Sequence, residues 1–269
     1  IGNATLDALT SGDGNTAIGY NAGTAATTGG LNTIVGKDAG SGVLTDAAGH
    51  NLMLGYEAGY NVTSGTNNTL VGGKGPGYSM TTGANNIFIG FETGDGNDAE
   101  NNNLGIGNSA LGGPIAGGEY NVAIGNLTLD ALTSGDSNVA IGYQAGTDLT
   151  EGATNILVGH SAGANITTAS ASIFIGFDAG SAVTTNTENI GIGYRSGYSS
   201  TGTRNTMMGY KSALNGTSFD DNVIIGYEAC GTGVLTGNHG VVIGYQAGKA
   251  LTSAGENILI GSLAGTSIT

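Results

Sequence analysis

The chain has 269 residues, of which 53 are Gly and only 2 are Pro, and its formal net charge is −14. Collagen is excluded because Gly does not recur at every third position, and an intrachain disulfide is excluded because Cys230 is the only cysteine. The acidic balance argues against nucleic acid, since no basic stripe exists to neutralise phosphates. No apolar run reaches the ~20 residues that cross a bilayer, so we expect no membrane insertion.

One short motif recurs along the whole chain. Its pattern is Asn-x-x-(Ile/Val)-Gly-(Tyr/Phe)-x-Ala-Gly, as in NTAIGYNAG at 15–23, NVAIGYQAG at 138–146 and GVVIGYQAG at 240–248. The Gly after the Ile or Val, called the anchor glycine, occurs sixteen times at spacings of 16 to 19 residues. The anchor glycines are Gly2, Gly19, Gly36, Gly55, Gly72, Gly90, Gly107, Gly125, Gly142, Gly159, Gly176, Gly193, Gly209, Gly226, Gly244 and Gly261. No segment escapes the pattern, so we predict one repetitive domain over 1–269.

A longer repeat lies over the short one. Residues 1–23 match residues 124–146 at 19 of 23 positions, an offset of 123 residues or seven short repeats. This match indicates that whole blocks of repeats were duplicated.

Each unit predicts one coil of a β-solenoid. An apolar run such as 86–90 is rich in β-branched and aromatic residues, and a weaker second strand is expected near Leu-Thr or Thr-Thr, as at 131–135. Gly, Asn, Asp and Ser mark the turns between them. The sequence therefore predicts an all-β fold, a parallel β-solenoid of about 16 coils with a 17-residue repeat.

The apolar run of each unit is apolar on both sides. The residue before each anchor glycine is Ile or Val except at Leu54 and Met208. It shares one side of the strand with the residue two positions earlier, and we predict that this side faces the interior. The residue between them, for example Met53, Leu70 or Phe88, is then predicted to face outward. A solvated face should be polar, so we predict that another copy of the chain covers this side in a homo-oligomer.

Two further columns of similar residues are expected along the coils. Asn begins thirteen of the fifteen complete units and is expected to form a structural amide ladder, at Asn15, Asn32, Asn51, Asn68, Asn86, Asn103, Asn121, Asn138, Asn155, Asn189, Asn205, Asn222 and Asn257. An aromatic residue follows the anchor glycine in nine units, at Tyr20, Tyr56, Phe91, Tyr143, Phe177, Tyr194, Tyr210, Tyr227 and Tyr245. A stacked aromatic column would stabilise the solenoid, and binding of sugar rings is the alternative.

The motifs NTAIGYNAG and NVAIGYQAG resemble the repeats in the heads of YadA-like trimeric autotransporter adhesins, and still more closely the NTAIGYQAG arrays of phage tail fibres. The resemblance covers the whole chain. It implies a left-handed β-roll, usually trimeric, that builds a fibre or presents an adhesive surface. The unit of about 17 residues is longer than the usual adhesin head repeat, and no heptad stalk follows it, so a phage fibre segment or a filament subunit fits better than an autotransporter.

Motifs that carry chemistry elsewhere are interpreted here as parts of the repeat. Gly159-His160-Ser161-Ala162-Gly163 has the form of a hydrolase nucleophile elbow, but it stands where every unit has its turn. We therefore predict no catalytic residue and no enzyme. Cys230 is interpreted as a small buried residue.

Metal and cofactor binding is not expected. His50, His160 and His239 lie in separate units and are predicted to be solvated. Acidic turns at Asp13, at Asp95, Asp98 and Glu100, and at Asp220 and Asp221 keep Ca²⁺ as an alternative, since oxygen-rich turns can bind it.

Asn-x-Ser/Thr sequons give six candidate glycosylation sites. They are Asn3, Asn61, Asn67, Asn126, Asn165 and Asn215.

Three functions remain open from the sequence. The first is an extracellular structural fibre, in a virion or a cell-surface filament, whose partner is the chain itself in a homotrimer or a helical polymer. The second is an adhesin module that binds a cell-surface glycan through the aromatic column or the loops at 72–78 and 112–120. The third is an ice-binding face of Thr residues, disfavoured because their register is expected to wander, at Thr10, Thr45, Thr133, Thr150, Thr236 and Thr252.

Overall fold

A computed structural model describes residues 1–45, 47–217, 219–233, 236–252 and 255–266. The prediction of an all-β parallel β-solenoid with a repeat of roughly 17 residues is confirmed. The chain divides into two compact units, unit 1 at Ile1–Ser137 and unit 2 at Asn138–Thr269, which are described separately. The single domain over 1–269 stays a prediction.

Each coil contributes one three-residue strand. The strands of unit 1 are β1 Thr16–Ile18, β2 Thr33–Val35, β3 Leu52–Leu54, β4 Thr69–Val71, β5 Ile87–Ile89, β6 Leu104–Ile106 and β7 Val122–Ile124. Those of unit 2 are β8 Val139–Ile141, β9 Ile156–Val158, β10 Ile173–Ile175, β11 Ile190–Ile192, β12 Thr206–Met208, β13 Val223–Ile225, β14 Val241–Ile243 and β15 Ile258–Ile260. Within each unit every strand pairs in parallel, and in register, with the next strand of the chain.

The solenoid has about 14 turns, fewer than the predicted 16 coils. The sixteen anchor glycines include Gly2, which follows no strand, so fifteen strands remain. A turn runs from one strand to the next, so fifteen strands delimit fourteen turns.

The prediction of which strand side faces inward is wrong. The middle residue of each strand faces the interior, and Met53, Leu70 and Phe88 are completely buried. The two flanking residues face outward, as Ile87 and Ile89 do in β5. The residues were grouped correctly by their alternation, but the β-branched column, which is the more uniform one, lies outside.

A large residue in one coil is accommodated by glycine in neighbouring positions. A Cβ added at Gly105 would lie 3.1 Å from the ring of Phe88, and one at Gly191 would lie 2.6 Å from the ring of Phe174. The interior therefore keeps its close packing although the inward residues range from Gly to Phe.

The predicted second strand is absent from the described residues of 131–135, which form a turn and bend. The equivalent residues of another coil show the bonding at this position, which we call the Thr corner. The N–H groups of Thr63, Ser64 and Gly65 all donate to the carbonyl oxygen of Thr81. A β-ladder needs alternating residues to bond to successive partners, so this geometry joins coils without forming a strand.

The anchor glycines are required by close contact between coils. Gly176 has φ +137°, and a Cβ there would lie 2.4 Å from the carbonyl oxygen of Gly193 in the next coil. A side chain is therefore excluded both by the backbone angle and by space.

Candidate functional site

Buried Asn side chains connect successive coils in both units. In unit 2, Asn155 Nδ2 donates to Asn138 Oδ1 at 3.1 Å and to the carbonyl oxygen of Ala169 at 2.8 Å. Asn155 Oδ1 accepts the backbone N–H of Ser172 at 3.0 Å. Both polar atoms of the buried amide are therefore satisfied, which removes the desolvation penalty of the amide.

The same bonds recur in unit 1. Asn68 Nδ2 donates to Asn51 Oδ1 at 3.1 Å and to the carbonyl oxygen of Gly83 at 2.8 Å, and its Oδ1 accepts the N–H of Asn86 at 2.9 Å. Of the thirteen Asn residues at this position, Asn15 and Asn257 are half-buried and the other eleven are buried.

Two coils of unit 2 have a different residue in this column. Ser172 keeps the connection, because its Oγ accepts the N–H of Asn189 at 3.3 Å. Gly240 donates its N–H to Asn222 Oδ1 at 2.7 Å but has no side chain to bond onward. The column therefore tolerates single substitutions because backbone bonds continue on both sides.

A second ladder, which the sequence analysis missed, is formed by Thr. The N–H and hydroxyl of Thr10 both donate to the carbonyl oxygen of Thr27, at 2.7 and 2.9 Å. Thr150 bonds in the same way to Thr167, at 2.9 and 3.0 Å. Thr45 donates to Thr63 and Thr236 donates to Thr252.

The prediction that the Thr register wanders is therefore wrong for these residues. The turns absorb most of the differences in unit length, and these pairs stay aligned, although Thr27 bonds to the carbonyl oxygen of Leu44, one residue before Thr45. The signal was present in the recurring Leu-Thr and Thr-Thr pairs. The hydroxyl protons of Thr10, Thr45, Thr150 and Thr236 are used within the chain, so they are not available to an outside acceptor such as ice.

In unit 2 the residues after the first seven of the eight anchor glycines form a continuous aromatic column: Tyr143, His160, Phe177, Tyr194, Tyr210, Tyr227 and Tyr245. Ring centroids of successive residues are 4.8 to 5.5 Å apart, and from His160 onward the planes lie within 16° of parallel. His160, which we predicted to be a solvated loop residue, is exposed in a turn, and its ring is also a stacked member of the column. Because faces meet faces, the rings offer mainly their edges to the outside.

In unit 1 the corresponding column is interrupted. Tyr20, Tyr56 and Phe91 are half exposed but separated by other residues. Lys37 Nζ lies 5.0 Å from the Tyr56 ring centroid, and Lys74 Nζ lies 5.4 Å from that of Phe91. Cation–π contacts therefore replace ring stacking at two of these positions.

The outward residues of the strands form what we call the outer stripe, which is the first and third residue of each strand. It consists of Ile, Val, Leu and Met with four Thr, and it contains no charged residue. Ile89 in unit 1 and Ile175 in unit 2 are each 37% exposed. The outer stripe is thus an uncharged sheet face on a chain of net charge −14.

The hydrolase-like motif has the conformation of an ordinary repeat. Ser161 lies in the left-handed region at φ +54°, as the corresponding Asp178 does at +53°. Its Oγ lies 3.0 Å from His160 Nδ1, while the His160 ring is held between Tyr143 and Phe177. No strand-to-helix turn surrounds Ser161 in the described residues, and that turn is what exposes the nucleophile in such enzymes.

Several carboxylates of the acidic turns serve as bonding partners within the chain. Glu100 accepts the backbone N–H groups of Asp98, Ala99 and Gly117. Asp220 accepts from the backbone and hydroxyl of Thr203. Among the described residues no group of three or more His, Cys, Asp or Glu could hold a metal ion.

Ion pairs between coils shift some pKa values. A hydrogen bond from Arg204 lowers the pKa of Asp221, and a hydrogen bond from Lys249 lowers that of Glu228. His50 and His239 are both exposed, as predicted, and His239 Nε2 lies 3.7 Å from Asp221 Oδ2. Burial raises the pKa of the Cys230 thiol to about 12, which makes it unreactive.

A cleft of about 240 Å³ lies in unit 1 at the predicted loop 72–78. It is lined by Glu57, Lys74, Gly75, Tyr78, Glu92 and Asp95. Lys74 is paired with Glu92. Burial raises the pKa of Asp95, helped by the negative charge of Glu92. The ring of Tyr78 stacks on that of Tyr60 at 5.0 Å.

The candidate glycosylation sites lie at the surface to different degrees. Four are exposed, at Asn3, Asn67, Asn126 and Asn165, and two are half-buried, at Asn61 and Asn215. In the described part of the chain no helix has the length and apolar character required to cross a bilayer.

These ladders and columns define the chain as a β-solenoid repeat protein. Comparison with protein-family models, with curated protein sequences and with solved structures finds no match.

Proposed function

We propose that the chain is a non-enzymatic structural element of an extracellular fibre or filament. One observation supports this function most directly: in each unit, three separate lines of hydrogen bonds connect one coil to the next. They are the strand pairs, the Asn side chains and the Thr corner. Bonds arranged in parallel share a load along the stacking direction.

The chemistry of the surface supports the same function. The outer stripe is uncharged and apolar in both units, and sister copies of the chain would cover it. The acidic turns keep the remaining surface soluble.

Electron microscopy and fibre diffraction of the purified chain test this proposal. We expect fibres or ordered oligomers whose diffraction shows a repeat of about 4.8 Å along the fibre. A protein that stays monomeric at high concentration, without forming any fibre, would contradict the proposal.

Glycan binding is a second candidate function, and the cleft at Tyr78 is the observation that favours it. The cleft offers carboxylates, an ammonium group and a phenol, which together can donate and accept hydrogen bonds to sugar hydroxyls. The aromatic column of unit 2 is less suited, because stacking on a sugar needs a free ring face and its internal faces are covered.

A glycan array would separate the two locations. If the cleft binds, Tyr78→Ala and Lys74→Ala should abolish the signal, and Tyr227→Ala should leave it unchanged. The reverse pattern would assign binding to the aromatic column. An array without any signal would leave the structural function as the remaining candidate.

A further inference from the structure

Four tyrosines follow one another without interruption in the aromatic column of unit 2, and we call them the tyrosine stack. The ring centroids of Tyr194 and Tyr210 are 5.1 Å apart, and those of Tyr210 and Tyr227 are 5.0 Å apart. The ring of Tyr245 follows that of Tyr227 at 5.4 Å. The planes of every pair lie within 14° of parallel. Each phenol of the tyrosine stack therefore faces another phenol.

The backbone holds the tyrosine stack in this register. The carbonyl oxygen of Tyr194 accepts the N–H of Lys211 in the next coil at 2.8 Å. The carbonyl oxygens of Tyr210 and Tyr227 accept the equivalent N–H groups of their next coils, also at 2.8 Å. Two groups that are held side by side in this way react with each other far more readily than the same groups free in solution.

The rings of the tyrosine stack are also open to reagents in the solvent. Their exposed fractions are 37, 38, 44 and 52%, in the order Tyr194, Tyr210, Tyr227 and Tyr245. Because successive rings meet face to face, the exposed part is mainly the ring edge. The edge includes the phenol oxygen and the ortho carbons, which carry the unpaired electron when a phenol becomes a phenoxyl radical.

The composition of the chain directs one-electron oxidation to tyrosine. Indole rings and thiolates are oxidised more easily than phenols, but the chain has 11 Tyr, no Trp and a single Cys. Burial raises the pKa of the Cys230 thiol to about 12, so little thiolate forms there. The exposed phenols are therefore the preferred sites of one-electron oxidation.

We infer that the tyrosine stack is a site of oxidative crosslinking, at which a haem peroxidase acting with hydrogen peroxide joins adjacent phenols of one chain as dityrosine. Each bond would close a loop of 16 to 18 residues and stabilise the coils by restricting the unfolded chain. A second site of the same kind is expected in unit 1, where the rings of Tyr60 and Tyr78 stack at 5.0 Å with 9° between their planes. The inference goes beyond the fibre function and does not depend on it, because the bond forms within a single chain.

The reaction balances with one molecule of hydrogen peroxide per crosslink. Each of two phenols loses one electron and one proton and becomes a neutral phenoxyl radical. The peroxide takes up both electrons and both protons and gives two molecules of water. The two radicals then join through their ortho carbons, and the hydrogen on each joined carbon moves as a proton to restore a phenol O–H and an aromatic ring.

Two cations beside the tyrosine stack favour loss of the proton together with the electron. The guanidinium carbon of Arg195 lies 5.5 Å from the ring centroid of Tyr194, and Lys211 Nζ lies 5.2 Å from that of Tyr210. Their positive charge disfavours a ring that would itself become cationic. The exposed ring edges give the phenol proton a path to water, so the radical that forms is neutral.

Two other exposed tyrosines serve as controls. Tyr143 belongs to the same column and is 45% exposed, but its ring neighbour is His160, at 5.1 Å and tilted by 38°. Tyr20 in unit 1 is 51% exposed, and Asn3 and Lys37 occupy the corresponding positions of the adjacent coils. A radical at either tyrosine has no adjacent phenol in its column to join.

The test is to treat the dilute full chain with a haem peroxidase and hydrogen peroxide. Tyr210→Phe/Tyr227→Phe leaves no two adjacent tyrosines in the tyrosine stack, whereas Tyr20→Phe/Tyr143→Phe removes as many phenols without removing an adjacent pair. Phe keeps the ring stacking, as Phe177 does beside Tyr194, and circular dichroism would verify the fold. Dityrosine would be measured by its fluorescence and by the loss of two hydrogens per crosslink from the mass of the monomer.

We expect crosslinked monomers from the wild-type chain. The tryptic peptide 205–211, whose single tyrosine is Tyr210, should be joined to a peptide that carries Tyr194 or Tyr227. Tyr20→Phe/Tyr143→Phe should keep this product, and Tyr210→Phe/Tyr227→Phe should lower crosslinking in unit 2 at least about tenfold, because adjacency is lost. Should a double variant fail to fold, Tyr227→Phe alone should leave peptide 205–211 joined to the Tyr194 peptide only.

Three results would overturn the inference. The first is a wild-type chain whose tyrosines are oxidised without forming dityrosine. The second is an equal loss of crosslinks in both double variants. The third is dityrosine that forms only between chains, with a yield that rises with protein concentration. The fibre function would be untouched by any of these results, since a monomeric chain that fails to form fibres can still crosslink its own coils.

Discussion

Units 1 and 2 share one backbone architecture but differ in their surfaces. Asn68 in unit 1 and Asn155 in unit 2 make the same three kinds of hydrogen bond, to within about 0.1 Å. The column after the anchor glycines, by contrast, stacks seven rings in unit 2 and mixes aromatic residues with Lys, Asn and Gly in unit 1. The bonds between coils therefore define the fold, whereas the exposed columns differ between the two units.

The largest effect is expected where the two units are most alike, at the anchor glycines. Gly90→Ala in unit 1 places a Cβ 2.1 Å from a carbonyl oxygen of the next coil, and Gly176→Ala in unit 2 places one at 2.4 Å. Each should lower the free energy of unfolding by about 4 kcal/mol or more, or prevent folding. Chemical denaturation measures the loss.

Gly73→Ala is the control for this pair, because a Cβ at Gly73 meets no atom within 4 Å. It should change stability by about 0.5 kcal/mol or less. If Gly90→Ala or Gly176→Ala were as mild as this control, the close approach of the coils would be disproved.

The next effect concerns the buried amides. Asn68→Ala and Asn155→Ala each leave buried backbone groups without partners and should cost about 3 kcal/mol. The losses should be equal in the two units. Asn165→Ala, at an exposed position of unit 2, should change the unfolding midpoint little, and clearly unequal losses at Asn68 and Asn155 would show that the two ladders differ in strength.

The repeat length and the solenoid class were predictable because Gly and Asn occupy positions with strict geometric demands. The inward side of the strand was not predictable, because the interior accepts residues from Gly105 to Phe88 as long as a neighbour compensates. Alternation alone assigns residues to two sides without saying which side is inside. Uniform β-branched residues were therefore mistaken for the core.

The ladder of Thr residues is not predicted from the sequence, for a different reason. Thr10 and Thr45 each bond to a Thr of the next coil, Thr27 and Thr63, but the spacing of Thr along the sequence varies with the turns. His160 is exposed, as predicted, but residue type does not reveal that its ring stacks between those of Tyr143 and Phe177.

The aromatic columns should differ in stability between the units. Tyr210 in unit 2 lies between Tyr194 and Tyr227, at 5.1 and 5.0 Å, so Tyr210→Ala loses two ring contacts and should cost about 1–3 kcal/mol. Tyr56→Ala in unit 1 loses one contact with Lys37 and should cost about 0.5–1 kcal/mol. Thermal unfolding of both variants measures the difference, and an equal cost would mean that ring stacking adds nothing to the column.

The smallest effect is a pH dependence of opposite sign in the two units. In unit 1 burial raises the pKa of Asp95, so the folded chain holds this proton more tightly than the unfolded chain does. The stabilisation by Asp95 is complete below the pKa that its carboxyl has in the unfolded chain. It is lost as the pH rises through the pKa that the carboxyl has in the folded chain. Asp95→Asn should therefore raise the unfolding midpoint at pH ~7 and change it little at pH ~3.

In unit 2 the hydrogen bond from Arg204 lowers the pKa of Asp221. The stabilisation by Asp221 is present above the pKa that its carboxyl has in the unfolded chain. It disappears as the pH falls through the lower pKa of the folded chain. Asp221→Asn should therefore lower the unfolding midpoint slightly at pH ~7 and much less at pH ~3, because exposed ion pairs contribute little. Thermal unfolding at both pH values checks the two signs, and shifts of the same sign for Asp95→Asn and Asp221→Asn at neutral pH would refute this electrostatic difference between the units.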